Sequence, residues 1–491
     1  MNTDLLLWSL LIVPIVFGLA SLLGASERQC LAIMLVGVGI QCLLGFFASY
    51  KTFTETQISD FSGWLRLDAL SAYHLAVMLI VYGGASLFAW VYFIAELEAG
   101  YLRLGQVKTF TSLWCPAMSS MTLVLISNNL GMMWIGIEAT TLLTAFLICI
   151  HMSRGVLEAM WKYLVICSVG TALAFLGTLF LIVSAHNLNF ASGGALLWTN
   201  LMDNATGLDP KLAKAAFIFL LVGYGTKAGL APMHSWLPDA HSKAPSPVSA
   251  LFSGFMLNAA LYCIMRLIPV INRATGSVDW PLGLLLGFGM VSIVVAAAYV
   301  LFQKDVKRLL AYCSVEHIGI IALGLGLGGL GTVAALFHTL NHSFSKSLSF
   351  FAAGRLGQFY SSHDMEDMPG GLTVSPIWGG ALIASFLALI GVAPFSLFMS
   401  EFQILKVAVD KNMLLVLVIF LVGTASIFIG MLRQAIPLTW GERPQGIKIQ
   451  EGSLIEAFIV FFPLLILLLL GIWIPEPFRF ALEKAAEIIH T

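Results

Sequence analysis

Two segments share one pattern, Gly229-Leu230-Ala231-Pro232-Met233-His234-Ser235-Trp236 and Gly391-Val392-Ala393-Pro394-Phe395-Ser396-Leu397-Phe398. Each lies inside an apolar run and close to a charged residue. Because proline removes a backbone hydrogen-bond donor and clashes with the preceding turn, both segments predict a break in a membrane helix. Paired broken helices indicate internal repeats with a site between them. The alternative is two unrelated proline kinks.

The composition around these segments is typical of an integral membrane protein. Hydrophobic residues make up 59% of the 491 residues and charged residues only 10%. Soluble domains have roughly 45–50% and 25%. Many apolar runs reach the ~20 residues that a helix needs to cross a bilayer. The sequence therefore predicts an all-α polytopic membrane protein with about fourteen transmembrane helices, forming a single domain over residues 1–491.

The apolar runs also give the predicted membrane spans. These are 5–24, 29–50, 73–96, 109–127, 129–150, 161–185, 213–230, 246–268, 281–302, 309–329, 332–354, 377–409, 413–434 and 455–474. No positive charge precedes the first run, so we interpret it as a retained helix and not as a cleaved signal. Residues 51–68 predict a surface hairpin, 190–212 a polar loop and 475–491 a short amphipathic helix.

Several function classes are excluded by what the sequence lacks. The net charge is −1, so no basic surface favours nucleic acid. The seven cysteines are scattered and form no Cys-x-x-Cys pair. No phosphate-binding loop or dinucleotide fingerprint is present. We therefore expect no metal and no cofactor, and energy must come from an ion gradient or a partner.

The distribution of positive charge predicts the topology. The odd-numbered connections hold about thirteen Lys and Arg residues, against about ten elsewhere, and Lys304, Lys307 and Arg308 are the densest group. Connections rich in Lys and Arg usually face the cytoplasm. We therefore expect a multi-pass protein of the cell inner (cytoplasmic) membrane with both termini on the non-cytoplasmic side.

His338, His342 and Lys346 stand four residues apart, so one helix face carries all three. A charge at mid-bilayer costs roughly 2.5–3.5 kcal/mol on insertion scales, so such groups usually line a polar interior. Histidine is suited to proton relay because its ordinary pKa is near 6.5. Two histidines at this spacing also bind zinc, but Lys346 and the lack of a carboxylate in the span argue against a metal site. Structural polar packing is the other alternative.

Glu138 and Lys227 are isolated charges within apolar runs. A buried carboxylate and a buried lysine each hold the other ionised when close, and each is neutralised when apart. The two residues therefore predict a charge switch, with a static ion pair as the alternative. Glu401, after the second break, predicts the far end of a path, or else a helix-end carboxylate at the interface. His317 is a further membrane-embedded candidate.

One motif is more specific than the rest. Residues 232–247 read Pro-Met-His-Ser-Trp-Leu-Pro-Asp-Ala-His-Ser-Lys-Ala-Pro-Ser-Pro. They resemble the signature of the antiporter-like, proton-translocating subunits of respiratory complex I, energy-converting hydrogenases and multisubunit sodium/proton antiporters. Residues 305–314 and 341–346 resemble two further blocks of that family, and the likeness covers nearly the whole chain. The overall sequence looks closest to the hydrogenase-4 and formate hydrogenlyase type.

The resemblance implies a fold and a set of roles. It implies two inverted five-helix repeats, 109–268 and 281–434, with breaks near Pro232 and Pro394. The residues that it implies are Glu138 and its partner Lys227, the relay His338, His342 and Lys346, the exit-side Glu401, and His234 and His241 along the first broken helix.

The chain departs from the family pattern at one place. Family members usually carry a lysine or histidine in mid-channel on the eighth helix, where this chain has Ser253 and Asn258. Neither side chain titrates. Protons there must cross on water, or the path is broken and the role of the chain is conformational.

The resemblance also implies partners and a function. We expect a proton-translocating membrane-arm subunit without a redox centre of its own, coupled to electron transfer in peripheral hydrogenase or dehydrogenase subunits. Other membrane subunits, including antiporter-like paralogues, and the lipid bilayer would surround it. The alternatives are a sodium/proton antiporter subunit moving Na⁺ as well as H⁺, a complex I subunit, and a non-conducting spacer, which Asn258 favours.

Overall fold

A computed structural model describes residues 3–55, 57–188, 190 and 193–490 of the chain, which are almost wholly helical. The first ten helices are α1 (Thr3–Ser21), α2 (Glu27–Glu55), α3 (Ala69–Glu98), α4 (Leu104–Ile126), α5 (Leu130–Ile148), α6 (Arg154–Ser184), α7 (Trp198–Asp203), α8 (Pro210–Ala228), α9 (Trp236–Lys243) and α10 (Ser246–Leu251). The others are α11 (Leu257–Thr275), α12 (Asp279–Val300), α13 (Val306–Leu327), α14 (Leu330–Tyr360), α15 (Gly371–Val374), α16 (Pro376–Leu389), α17 (Ser396–Asp410), α18 (Leu414–Trp440), α19 (Leu454–Ile472) and α20 (Glu476–His490).

The all-α polytopic architecture is confirmed. Within the described residues, eleven helices are long and apolar enough to cross a membrane, counting Ser246–Thr275 as one. Three of the predicted spans fall outside this set for physical reasons. The helix α8 carries Lys211, Lys214 and Lys227, α14 carries the polar stripe, and the third span is divided into α16 and α17. The number of fourteen crossings stays a prediction.

Both helix breaks lie where the sequence predicts them, and they have the same local geometry. The first helix ends at Ala228 and the second at Leu389. Gly229 (φ 81°) and Gly391 (φ 67°) then take the left-handed conformation that glycine adopts most readily. The next amide in each case bonds back to the last helical turn, Leu230 to the Gly225 carbonyl at 2.9 Å and Val392 to the Leu387 carbonyl at 3.0 Å. The peptide bonds before Pro232 and Pro394 are both cis.

The centre of the bundle is formed by the helices that carry polar residues. A π-helical turn, Phe252–Met256, joins α10 to α11, and all residues of this combined helix up to Ile271 are buried. It packs against α3, α8 and α14, while α13 packs against α14. The helices α1, α2, α18 and α19 lie outside and expose many large apolar side chains, as expected for lipid-facing surfaces.

The surface segments differ in part from the prediction. A hairpin of β1 (Ile58–Ser59) and β2 (Arg66–Leu67) confirms the predicted turn, although α2 extends to Glu55. The expected loop 190–212 contains α7 and two 3-10 turns, and part of it, 191–192, lies outside the described residues. The predicted amphipathic tail helix is α20, which buries one face against α3, α11 and α14.

Candidate functional site

Lys227 lies in the last turn of α8, immediately before the first break, and is fully buried. Its Nζ donates to the Tyr163 hydroxyl at 2.5 Å and to the Thr141 hydroxyl at 2.9 Å. The ammonium group also lies 4.6 Å from the centre of the Tyr163 ring. A buried charge is costly unless polar groups surround it. The hydroxyl groups from α5 and α6 therefore stabilise the buried ammonium group of Lys227.

Glu138 lies one turn before Thr141 on α5 and is half-buried. Its carboxylate accepts hydrogen bonds from Thr171 at 2.5 Å and from Ser168 at 3.0 Å, both on α6. Among the described residues no ion pair within 4.0 Å joins this carboxylate to Lys227. Glu138 and Lys227 therefore each bond two hydroxyl groups from the same pair of helices, α5 and α6, and not each other.

His234 precedes α9, and His241 lies in the last turn of that helix. His241 is fully buried, and its two ring nitrogens have no hydrogen-bond partner in the described part of the chain. Its ring stacks on Phe350 with centroids 5.4 Å apart. His234 is half-buried in the break itself, 6.2 Å from the Tyr312 ring. His241 therefore has free positions both to accept and to release a proton.

Asn258 lies directly after the π-helical turn, in the middle of the bundle. Its Nδ2 donates to the Ser343 hydroxyl at 3.1 Å, and its Oδ1 has no partner among the described residues. Nearby, Ser253 and Ser314 share a hydrogen bond of 2.7 Å. The expected mid-channel position is therefore polar and connects to both α13 and α14, although no side chain there titrates.

His317 on α13 and His338 on α14 are in direct contact. Nδ1 of His317 and Nε2 of His338 are 3.0 Å apart, and Nδ1 of His338 lies 2.9 Å from the Ser400 hydroxyl. Ser400 donates its own proton to the Leu397 carbonyl at 2.9 Å, so it accepts from His338. We therefore assign the His338 proton to Nδ1, which leaves Nε2 to accept from His317.

From this histidine pair the stripe continues along α14 to His342 and Lys346, and Glu401 lies on the neighbouring helix α17. His342 has its ring centre 5.3 Å from that of His317 and no hydrogen-bond partner in the described structure. Lys346 donates to the Leu310 carbonyl at 2.8 Å. Glu401, on α17, lines a cavity of about 480 Å³ that also borders Gly391. The stripe therefore leads from Lys346 through the histidines toward the second break.

The span that carries His338 and His342 has no carboxylate to complete a zinc site. The structure brings one close from another helix, α17. Donor atoms of His317, His338 and Glu401 all lie within 4.8 Å of one another. However, the histidine nitrogens are 3.0 Å apart. Two ligands of one tetrahedral zinc, at about 2.0–2.1 Å from the metal, are roughly 3.3 Å apart. The two nitrogens are hydrogen-bonded to each other in this arrangement.

Some contacts of the site carry no signal in the sequence. Thr141 is detectable because it lies one helical turn from Glu138, but Tyr163, Ser168 and Thr171 reach the site only because α6 packs on α5 and α8. Asn341 is similar, since its Nδ2 reaches the Ser396 carbonyl at 3.0 Å and thus holds α17 against α14.

The fold and the site define a polytopic membrane protein with a buried series of ionisable side chains between two broken helices. Residues 127–427 match the family described as NADH:quinone oxidoreductase/Mrp antiporter, transmembrane region. The chain belongs to this family, and the resemblance seen in its motifs is confirmed.

Individual relatives agree with this assignment. A hydrogenase-4 component F homolog of Methylacidiphilum infernorum is 37% identical over 391 residues, which cover 79% of this chain and 81% of the relative. Hydrogenase-4 component B of Escherichia coli K12 is 32% identical over 69% of this chain, but the match covers 50% of that longer relative. The archaeal membrane-bound sulfane sulfur reductase contains a chain with the same fold, with a TM-score of 0.88, 23% identity and coverage of 99% and 97%.

Proposed function

We propose that the chain is a proton-translocating membrane-arm subunit of a multisubunit redox complex of the hydrogenase or formate hydrogenlyase type. Protons move along Glu138, Lys227, the water-bridged region of Asn258 and the histidine stripe to Glu401, coupled to electron transfer in partner subunits. Similarity to hydrogenase-4 components supports the type of host complex.

The observation that carries this proposal is the environment of Lys227. A lysine kept for a static role at this depth would be expected to have a directly bonded carboxylate, because removing such a partner typically costs about 3–5 kcal/mol. Lys227 has two neutral hydroxyl partners instead, and Glu138 bonds hydroxyl groups of α6. Such a site tolerates both the charged and the neutral lysine, and a small movement of Glu138 favours one or the other.

The proposal includes a location and partners. The chain lies in the cell inner membrane with both termini on the non-cytoplasmic side. Antiporter-like paralogues and other membrane subunits flank it, and peripheral redox subunits supply the energy. Lipid-exposed apolar surfaces on the outer helices are compatible with such neighbours.

The test compares Lys227→Ala and Glu138→Gln with the exposed Lys211→Ala on the same helix. Inverted membrane vesicles that contain the assembled complex are supplied with its electron donor, and proton uptake and electron transfer are both followed. We expect both site variants to lose proton uptake and Lys211→Ala to keep it. Normal uptake in the site variants contradicts the proposal.

A non-conducting spacer is the second candidate, and Asn258 is the observation that favours it. The spacer transmits conformational change without moving protons itself. In that case the Glu138 and Lys227 variants alter assembly or electron transfer, whereas no variant of the histidine stripe changes the number of protons moved per electron.

A further inference from the structure

Glu316 is a buried carboxylate on α13 that the proposed path does not include. It directly precedes His317, and only 3% of its surface is exposed. In the part of the chain that the structure describes, no basic side chain forms an ion pair with it within 4.0 Å. Glu456 is the opposite case, because Arg355 holds this second buried carboxylate at 3.0 Å. A buried carboxylate that no cation holds in its charged form can exchange a proton.

The Cys313 thiol connects Glu316 to Lys346. It lies one turn before Glu316 on α13 and donates to Glu316 Oε2 over 3.8 Å. Lys346 approaches the same side of α13, since its Nζ donates to the Leu310 carbonyl at 2.8 Å and lies beside the Cys313 sulfur. The charge of Lys346 also acts on the Glu316 carboxylate. An acid and an amine are therefore close together in the interior without being held in an ion pair.

His317 offers an acceptor to Glu316. A ring nitrogen of His317 and a carboxylate oxygen of Glu316 lie within 4.8 Å of each other. Nδ1 of His317 donates to His338, so Nε2 is the acceptor nitrogen, and it is buried without a partner among the described residues. Rotation of the flexible Glu316 side chain, or one bridging water, closes a gap of this size. A protonated Glu316 can therefore donate to His317.

A metal ion is the alternative occupant of this cluster, because Cys313, Glu316 and His317 offer three donor atoms. However, structural zinc sites have four protein ligands. Nδ1 of His317 is already bonded to His338, and the ammonium group of Lys346 beside the thiol repels a cation. These contacts argue against a metal site.

We propose that Glu316 carries protons from Lys346 to His317. The inference rests on the proposed function and adds a residue to its path, which then runs from α14 to α13 and back. The Lys346 ammonium group gives a proton to the Glu316 carboxylate, which leaves a neutral amine and a carboxylic acid. Glu316 gives this proton to Nε2 of His317, and the Nδ1 proton of His317 passes to Nε2 of His338. One positive charge has then moved from Lys346 to His338, and Glu316 is a carboxylate again.

The first test compares Glu316→Gln with Glu456→Gln. Glutamine keeps the shape of the side chain and an acceptor oxygen for Cys313, but it cannot take up a proton. Glu456 is also buried, at 5% exposed, and serves as the matched control because Arg355 fixes it. Inverted vesicles of the assembled complex receive its electron donor, and proton uptake per electron is measured. We expect Glu316→Gln to lose as much uptake as Lys227→Ala, and Glu456→Gln to keep the wild-type value.

Wild-type proton uptake per electron in Glu316→Gln overturns the inference. If Lys227→Ala also keeps wild-type uptake, the proposed function fails as well. Loss in Lys227→Ala together with wild-type uptake in Glu316→Gln rejects the role of Glu316 alone.

The second test measures the protonation of Glu316 itself, which a purely structural carboxylate does not change. Infrared difference spectra of the complex, taken before and after addition of the electron donor, record the carbonyl stretch of each carboxylic acid that gains or loses a proton. We expect a wild-type band that shifts in Glu316→Asp, disappears in Glu316→Gln and is unchanged in Glu456→Gln. The same bands in the wild type and all three variants would show that Glu316 does not carry protons.

Discussion

At the residue scale, the chain holds its buried cations in two different ways. Arg266 forms a bidentate pair with Asp68 at 2.5 and 2.7 Å, bonds the Tyr262 hydroxyl, and stacks on Trp198. Bidentate geometry and a cation that does not deprotonate make this a fixed connection between α3 and α11. Lys227 has neither feature, because its partners are neutral and its own proton is exchangeable. The contrast distinguishes a fixed charge from one that can gain or lose a proton.

Tyr163→Phe tests the lysine site with a minimal change. The ring against Lys227 remains, but a hydroxyl partner at 2.5 Å is lost. A hydrogen bond to a charged group contributes about 1.5–3 kcal/mol, so the balance between charged and neutral lysine should shift by roughly tenfold or more. We expect slower proton uptake in vesicles with normal assembly.

The control for this variant is Tyr82→Phe. The Tyr82 hydroxyl is also buried, but it bonds the Trp114 carbonyl and not an ionisable side chain. Equal proton uptake in the two variants would mean that the Tyr163 hydroxyl contributes to the stability of the protein and not to transport.

At the element scale, the broken helices decide where the site lies. The Gly391 cap and the start of α17 bring Glu401 beside the break, and a Cβ built on Gly391 would overlap the Glu401 carboxylate. Gly391→Ala should therefore move that carboxylate in addition to straining a positive φ, at a total cost of at least about 1 kcal/mol. We expect reduced proton uptake and a lower unfolding temperature in detergent.

Gly380→Ala is the matched control for this change. It lies inside α16, where a Cβ meets nothing within 4 Å, so alanine should be neutral or slightly stabilising. If both variants transport equally well, the position of Glu401 does not limit the path.

The sequence predicts elements better than contacts, and the reason is physical. The Gly-x-Ala-Pro pattern is local, so both breaks follow from it. The stripe of His338 and Lys346 follows from helical periodicity. By contrast, the pairing of His338 with His317 and Ser400 depends on how three helices cross, which periodicity does not contain. The π-helical turn before Asn258 is likewise invisible to a count of apolar positions.

At the scale of the whole molecule, the buried polar groups form two regions rather than one uniform line. The first joins α5, α6 and α8 around Lys227, and the second joins α13, α14 and α17 around the histidines. Between them stands the fully buried helix from Ser246 to Ile271 with Asn258. The division into repeats 109–268 and 281–434 fits this arrangement and stays a prediction. The proposed path crosses from one region to the other at Asn258, where a polar side chain without a titrating group requires water to carry the proton.

Asn258→Leu tests this crossing directly. Leucine has the same number and branching of side-chain heavy atoms but removes the hydrogen bond to Ser343, so water is no longer held between the two regions. If the two regions conduct in series, the variant should lose most of the wild-type proton uptake in vesicles. Asn341→Leu is the comparison for a structural effect, since Asn341 holds α17 through the Ser396 carbonyl, and it should also lower the unfolding temperature in detergent. Wild-type uptake in Asn258→Leu would instead mean that protons do not cross at Asn258 and that the two regions take them up separately.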